Sequence, residues 1–154
     1  MVYSLIMRFN ESGENPPATI YDKFGQSYQV HCHADGMFHV THNGIHVANL
    51  YCATGGKTGL LSDLRVEDCV PYQGSRLLQF LRLQPRTKNY ENKGIGTALL
   101  KYALQHLKDE GCEKVEGKIV ERDFKKNPWL PDWYRKHGFN VSESGTGPMW
   151  KLLD

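Results

Sequence analysis

A glycine-rich turn that runs directly into an amphipathic helix is the feature that most constrains this chain. Residues 90–97 read Tyr-Glu-Asn-Lys-Gly-Ile-Gly-Thr. Gly94 and Gly96 let the backbone bend sharply and leave no Cβ between a ligand and the main chain. The following helix begins with unpaired backbone N–H groups and the positive end of its dipole, which suit phosphate or pyrophosphate. We therefore expect an anionic ligand at this turn.

The residues on either side of the turn predict a βαβ unit. A helix is predicted over 96–110, ended by Gly111, with strands over 77–84 before it and 114–120 after it. Strands joined in this way are parallel, with a right-handed crossover. The apolar face of the predicted helix consists of Ile95, Leu99, Leu100, Ala103, Leu104 and Leu107.

The first half of the chain has the pattern of antiparallel strands. Asp35-Gly36 and Asn43-Gly44 are hairpin-turn signals between two of these strands. A short helix over 131–137, stopped by Gly138, and a last strand over 146–153 complete the second half. Hairpins followed by a βαβ unit predict an α/β domain with a mixed sheet. The strand-like runs of the first half are 3–9, 27–34, 37–42, 46–53 and 58–66.

Length and composition limit the classes of function. The 154 residues, with 40% hydrophobic and 23% charged, predict one domain over 1–154. A net charge of +2 lacks the basic excess typical of a nucleic-acid binder, and the apolar runs are too short to span a membrane. The chain begins without a signal-peptide core, and its four cysteines form no CxxC pair. We therefore expect a reduced, cytoplasmic protein with neither nucleic acid nor a membrane as partner.

Two sequence blocks resemble the GNAT superfamily of N-acetyltransferases. The segment from Glu91 to Gly96, after Leu83-Gln84-Pro85, resembles the acetyl-CoA motif (Gln/Arg)-x-x-Gly-x-(Gly/Ala). The segment 134–139 resembles the family's Tyr-x-x-x-Gly-Phe, and Asn127 lies seven residues before it, at the family spacing. The resemblance implies a GNAT-like, mostly antiparallel mixed sheet with a central βαβ unit and helices packed on the sheet. It also implies transfer of the acetyl group of acetyl-CoA to a primary amine of a small molecule or protein.

The resemblance assigns roles to particular residues. The pantetheine arm would pair with the backbone of a strand at Leu81, Arg82 and Leu83, and Asn127 would contact the same arm. Tyr134 would protonate the leaving thiolate, while backbone donors stabilise the oxyanion. The pyrophosphate would lie on the backbone N–H groups of Asn92, Lys93, Gly94, Ile95, Gly96 and Thr97.

The chain also departs from the family pattern. Glu91 stands at the Gln/Arg position, where a carboxylate beside pyrophosphate is unfavourable unless it points away. Gln79 falls where some members have a glutamate base, so Glu121 is the nearest replacement, with a water chain as the alternative. These departures leave open a non-catalytic acyl-CoA-binding module with a sensing or interaction role. The acceptor is not identified, and a homodimer is open because GNAT-like domains often pair.

Histidines are concentrated between residues 31 and 46. On a strand, His31 and His33 share one face, and His39 would lie across the hairpin from them. No compact metal-ligand motif is present, so we expect no metal. These histidines are instead candidates for the lining of the acceptor pocket.

Overall fold

A mixed β-sheet is the main element of the computed structural model, which describes residues 17–68, 70–71, 76–81 and 87–154. The predicted strand 3–9 lies outside these residues. The strands are β1 (Ala18–Tyr21), β2 (Ser27–Cys32), β3 (Met37–His42), β4 (Ile45–Gly55), β5 (Thr58–Val66), β6 (Val70–Pro71), β7 (Thr87–Lys88), β8 (Lys114–Ile119), β9 (Asn140–Val141) and β10 (Gly147–Leu152). The helices are α1 (Arg76–Phe80), α2 (Ile95–Asp109), α3 (Glu121–Lys126) and α4 (Leu130–Lys136).

The sheet has eight strands in the order β1-β2-β3-β4-β5-β8-β10-β9, and β6 pairs with β7 separately. Antiparallel ladders join β1 to β2, β2 to β3, β8 to β10 and β9 to β10. The neighbours β5 and β8 are parallel, from the pair Thr58–Lys114 to the pair Leu61–Gly117. The predicted fold class, a GNAT-like, mostly antiparallel mixed sheet with helices packed on it, is confirmed, and the parallel strands of its predicted central βαβ unit are β5 and β8.

The predicted hairpins agree closely with the structure. The bounds of β3 and β5 coincide with the predicted strands 37–42 and 58–66, and β2 and β4 differ by only a few residues at their ends. Asn43 and Gly44 have φ values of 51° and 76°, as a two-residue hairpin turn of type I′ requires. Local turn chemistry therefore determines this part of the fold.

The predicted strand 77–84 is wrong where the structure describes it. Residues Arg76–Phe80 form the helix α1, and Leu81 follows it in a turn. Leucine favours helix, the segment has no β-branched residue, and a short apolar run does not by itself distinguish strand from helix. The strand that pairs in parallel with β8 is β5.

The helix α2 buries the face that the sequence predicts. Ile95, Leu99, Leu100, Ala103 and Leu107 are each at most 1% exposed. Gly111 ends the helix with a φ of 86°, and the N–H of Cys112 donates to the carbonyl of Leu107 at 2.9 Å. By contrast, neither β1 nor α3 is predicted from the sequence. The six residues of α3 include no buried side chain and so carry no apolar period.

The contacts divide the chain into two compact units. The first comprises residues 1–49 and 64–99, and the second comprises 50–63 and 100–154. Whether the chain acts as one domain stays a prediction. In the described part of the chain, no helix is long and apolar enough to cross a membrane. The core of the first unit includes Ile20, Tyr28, Val30, Phe38, Val40, Val47 and Tyr90, and that of the second includes Leu50, Cys52, Leu61, Leu107, Val115, Ile119, Tyr134 and Met149.

Candidate functional site

The glycine turn, residues 90–97, lies in the first unit and leads into α2. Gly94 has a φ of 87°, and its carbonyl accepts the N–H of Ala98 at 3.0 Å, which is the first hydrogen bond of the helix. The N–H groups of Ile95, Gly96 and Thr97 precede that bond and have no acceptor within the helix. The turn therefore presents several backbone donors at the positive end of a 15-residue helix, an arrangement that suits an anion.

A second turn approaches the glycine turn closely. The N–H of Lys23, between β1 and β2, donates to the carbonyl of Lys93 at 2.9 Å. A Cβ placed on Gly94 would lie 3.4 Å from the backbone nitrogen of Lys23. The positive φ of Gly94 therefore favours glycine at this position. A larger residue there would also bring its Cβ into contact with the backbone of Lys23.

The strand β5 ends beside the start of the glycine turn. Glu67, directly after β5, donates its N–H to the carbonyl of Val47 at 2.9 Å. The carbonyl of Glu67 accepts the N–H of Tyr90 at 3.0 Å, so the end of β5 is bonded to the start of the glycine turn. The parallel ladder of β5 stops at Leu61, and Asp63 has a φ of 54°, in the left-handed region. Residues 64–66 continue β5 beyond that ladder.

These contacts revise the expected pantetheine strand. Leu81 donates its N–H to Leu77 at the end of α1 and is 53% exposed, so it lacks the strand position that its assignment required. Arg82 and Leu83 lie outside the described residues. The residue bonded to the start of the glycine turn, Glu67, instead follows Leu64, Arg65 and Val66 at the end of β5, a connection that the sequence pattern does not indicate. The correctly predicted strand 58–66 was the available signal, but its distance from Tyr90 in sequence concealed the connection.

Charged side chains accompany the glycine turn. The ammonium of Lys93 lies 5.5 Å from the ring centroid of Tyr90, within the range of a cation–π contact. The N–H of Glu91 donates to Asn89 Oδ1 at 2.7 Å. The Glu91 carboxylate forms no ion pair or hydrogen bond with a described residue. No cationic side chain among the described residues pairs with this carboxylate, which stands where the family has Gln or Arg.

Tyr134 lies in α4, in the second unit, and is 7% exposed. Its ring stands edge-on to Phe139 at 5.3 Å and to Trp133 at 4.9 Å between centroids. Burial, with a smaller contribution from the Asp123 carboxylate, raises the pKa of the Tyr134 phenol. The hydroxyl forms no hydrogen bond with a described residue. The raised pKa means that the phenol is protonated at neutral pH.

Asn127 and Glu121 stand at the two ends of α3 in the second unit. Asn127 donates its N–H to Asp123 at 2.8 Å and accepts the N–H of Leu130 at 3.0 Å, so it links α3 to α4. Its side-chain amide hydrogen-bonds no described residue. Glu121 has a side chain that is 72% exposed and forms an ion pair of 2.7 Å with Lys125. The base role of Glu121 stays a prediction.

The histidines lie together in the first unit. His31 stands opposite His39 in the ladder of β2 and β3, and the ring centroids of His33 and His46 are 5.9 Å and 4.4 Å from that of His39. Burial and the neighbouring imidazoles lower the pKa of His39, whose Nε2 has no hydrogen-bond partner among the described residues. No group of three or more His, Cys, Asp or Glu in that part of the chain is arranged to hold a metal ion.

Comparison with known proteins agrees with this geometry. Residues 86–141 match a family model described as an acetyltransferase (GNAT) domain. That span includes the glycine turn, Asn127 and Tyr134. No curated protein sequence gives a significant match.

Several solved structures have a similar fold. The ribosomal-protein-S18-alanine N-acetyltransferase from Escherichia coli has a TM-score of 0.52 and 18% identity, over 77% of this chain and 68% of its own. Ard1 from Thermoplasma volcanium has a TM-score of 0.51 and 15% identity, over 77% and 71%. The PaiA N-acetyltransferase from Thermoplasma acidophilum, in complex with coenzyme A, has a TM-score of 0.51 and 16% identity, over 75% and 59%.

The order of the sheet and its parallel pair β5–β8 agree with the fold of these acetyltransferases. The match to the GNAT model covers residues 86–141 of the 154-residue chain, and the similarity to the solved structures shows the GNAT fold. The resemblance drawn from the two sequence blocks is confirmed.

Proposed function

We propose that this protein is an N-acetyltransferase that moves the acetyl group of acetyl-CoA to a primary amine of a small molecule or protein. The observation that carries the proposal is the glycine turn, which aligns unpaired N–H groups at the start of α2 inside the segment that matches the GNAT model. A pyrophosphate-containing acyl carrier is the ligand that suits such donors.

The cofactor has a bipartite site in this proposal. Its pyrophosphate accepts hydrogen bonds from the backbone of residues 92–97. Its pantetheine arm pairs with the backbone of Leu64, Arg65 and Val66, because β5 is bonded to the start of the glycine turn through Glu67 and Tyr90. The family resemblance assigns Asn127 to the same arm.

The reaction is a direct attack. The neutral amine adds to the thioester carbonyl, backbone donors stabilise the oxyanion, and the C–S bond then breaks. Tyr134 gives its phenolic proton to the thiolate, and burial, which raises the pKa of Tyr134, keeps the phenol protonated before the reaction. The amine's proton passes to Glu121 or to water.

A second candidate is a non-catalytic acyl-CoA-binding module with a sensing or interaction role. Two observations favour it: Glu91 stands at the Gln/Arg position of the motif with no ion pair to a described residue, and Glu121 is exposed and ion-paired. The retained Tyr134 and Asn127 favour the enzyme.

Calorimetry and an amine panel distinguish the two candidates. We expect the protein to bind acetyl-CoA, and to release CoA when it is given a panel of polyamines, amino acids and peptide N-termini. Free thiol is followed with a colorimetric reagent, and ATP serves as the control ligand in the calorimeter. Binding of acetyl-CoA without thiol release from any amine would favour the module, and absence of binding would contradict both candidates.

Substitution of Glu121 tests the proposed base. If Glu121 takes the amine proton, Glu121→Gln lowers kcat/KM for the amine about 10- to 100-fold near neutral pH. The loss should shrink as the pH rises, because more of the amine is then already neutral. Glu143→Gln, in an exposed turn, is the control. Equal pH profiles for wild type and Glu121→Gln would assign the proton to water instead.

A further inference from the structure

The turn between β1 and β2, residues 22–26, is held by hydrogen bonds to the side chain of Asp22 and contacts the glycine turn. We propose that Asp22 is a positioning residue for the cofactor pyrophosphate, because it shapes the turn that orients the N–H of Gly94. The inference rests on the proposed function and extends it to a part of the chain outside the matched segment.

Asp22 is the only polar or charged residue that is buried in the described part of the chain, at 8% exposure. Its Oδ1 accepts the backbone N–H groups of Phe24 at 2.8 Å and Gln26 at 2.9 Å. Its Oδ2 accepts the Tyr28 hydroxyl at 2.9 Å. Three hydrogen bonds therefore converge on one buried carboxylate, and they fix the conformation of the turn.

The carboxylate is kept ionised. Burial acts to raise the pKa of Asp22, but the hydrogen bonds from Gln26, Phe24 and Tyr28, together with the charge of Lys93, outweigh it and lower the pKa. Main-chain bonds reinforce the turn, since Asp22 donates to Gln26 at 3.0 Å and accepts from Gly25 at 3.1 Å.

One hydrogen bond joins the β1–β2 turn to the glycine turn. The N–H of Lys23, next to Asp22, donates to the carbonyl of Lys93 at 2.9 Å. The peptide between Lys93 and Gly94 is trans, so its N–H points opposite to its carbonyl. Because Lys23 captures the carbonyl, the Gly94 N–H is directed away from the β1–β2 turn. This N–H is one of the proposed pyrophosphate donors.

The variant Asp22→Ala tests the proposal in the full-length protein. We expect it to raise the Kd for CoA at least about tenfold, the usual loss when a hydrogen bond to a charged group is misaligned. In a ¹H–¹⁵N spectrum, CoA should shift the Gly94 amide strongly downfield in wild type and only weakly in the variant. Pantetheine, which lacks the pyrophosphate, should bind both proteins equally in an NMR titration.

Two further variants separate positioning from general structural damage. In the next hairpin turn, the N–H of Met37 donates to the Asp35 carboxylate at 3.0 Å, and Asp35→Ala removes this bond. That variant should leave the Kd for CoA unchanged. Asp22→Asn keeps an acceptor for Phe24 and Gln26, so it should restore most of the CoA affinity. It also replaces Asp22→Ala if that variant does not fold.

The outcomes are distinct. If wild type fails to bind CoA, the proposed function itself is wrong and this inference with it. If wild type binds CoA but Asp22→Ala and Asp22→Asn retain both the Kd and the Gly94 shift, only the positioning role is overturned. Equal weakening of CoA and pantetheine would likewise overturn it, since a role at the pyrophosphate cannot affect a ligand without one.

Discussion

Gly94→Ala is expected to weaken acetyl-CoA binding about 10- to 100-fold, since a hydrogen bond to a charged group typically contributes about 1.5–3 kcal/mol. Gly94 has a φ of 87°, and an alanine in this left-handed region costs about 1–2 kcal/mol. The strained turn can relax only by rotating the peptides that carry the N–H donors. A new Cβ would also contact Lys23 at 3.4 Å, which restricts that relaxation on one side.

Gly111→Ala is the matched control for this experiment. Gly111 has a φ of 86°, and a Cβ there would meet no atom within 4 Å. Both variants should therefore lose similar stability in a denaturant titration, but only Gly94→Ala should lose acetyl-CoA affinity in the calorimeter. Wild-type affinity in Gly94→Ala would exclude the glycine turn as the pyrophosphate site.

The parts of this fold that the sequence predicts correctly depend on local interactions. The Asn43-Gly44 turn, the buried face of α2 and the glycine at its end each follow from neighbours within a few residues. The glycine turn belongs to the same category, because a positive φ at Gly94 and the free donors of a helix start are encoded in one short segment. For this reason the geometry of the glycine turn could be predicted from the sequence, and its role as an anion site stays a prediction.

The misses concern contacts between residues far apart in sequence. The chain leaves β5 at Val66 and returns at Tyr90, whose N–H donates to the carbonyl of Glu67 directly after β5. No local pattern indicates this return, so the nearby run 77–84 was mistaken for that strand. The approach of Lys23 to Lys93 is equally invisible to periodicity, although Asp22 in a turn is an ordinary signal of tight turn geometry.

Tyr134→Phe is expected to lower kcat about 10²- to 10³-fold, which is the usual contribution of a general acid. Its effect on the Kd for acetyl-CoA should be less than about twofold, because phenylalanine keeps the ring contacts with Trp133 and Phe139. Folding stability should change by less than about 1 kcal/mol, since the hydroxyl hydrogen-bonds no described residue. A selective loss of kcat would assign the Tyr134 proton to the departing thiolate.

The pH dependence adds a second test of the same role. An acid must be protonated to act, so activity that depends on Tyr134 is present below its pKa and is lost as the pH rises through it. Burial raises that pKa above the usual value near 10, so wild type should show no decline due to Tyr134 up to about pH 10. Tyr21→Phe, which removes an exposed hydroxyl, is the control and should keep the wild-type profile. If Tyr134→Phe keeps the wild-type kcat across this range, the thiolate takes its proton from solvent.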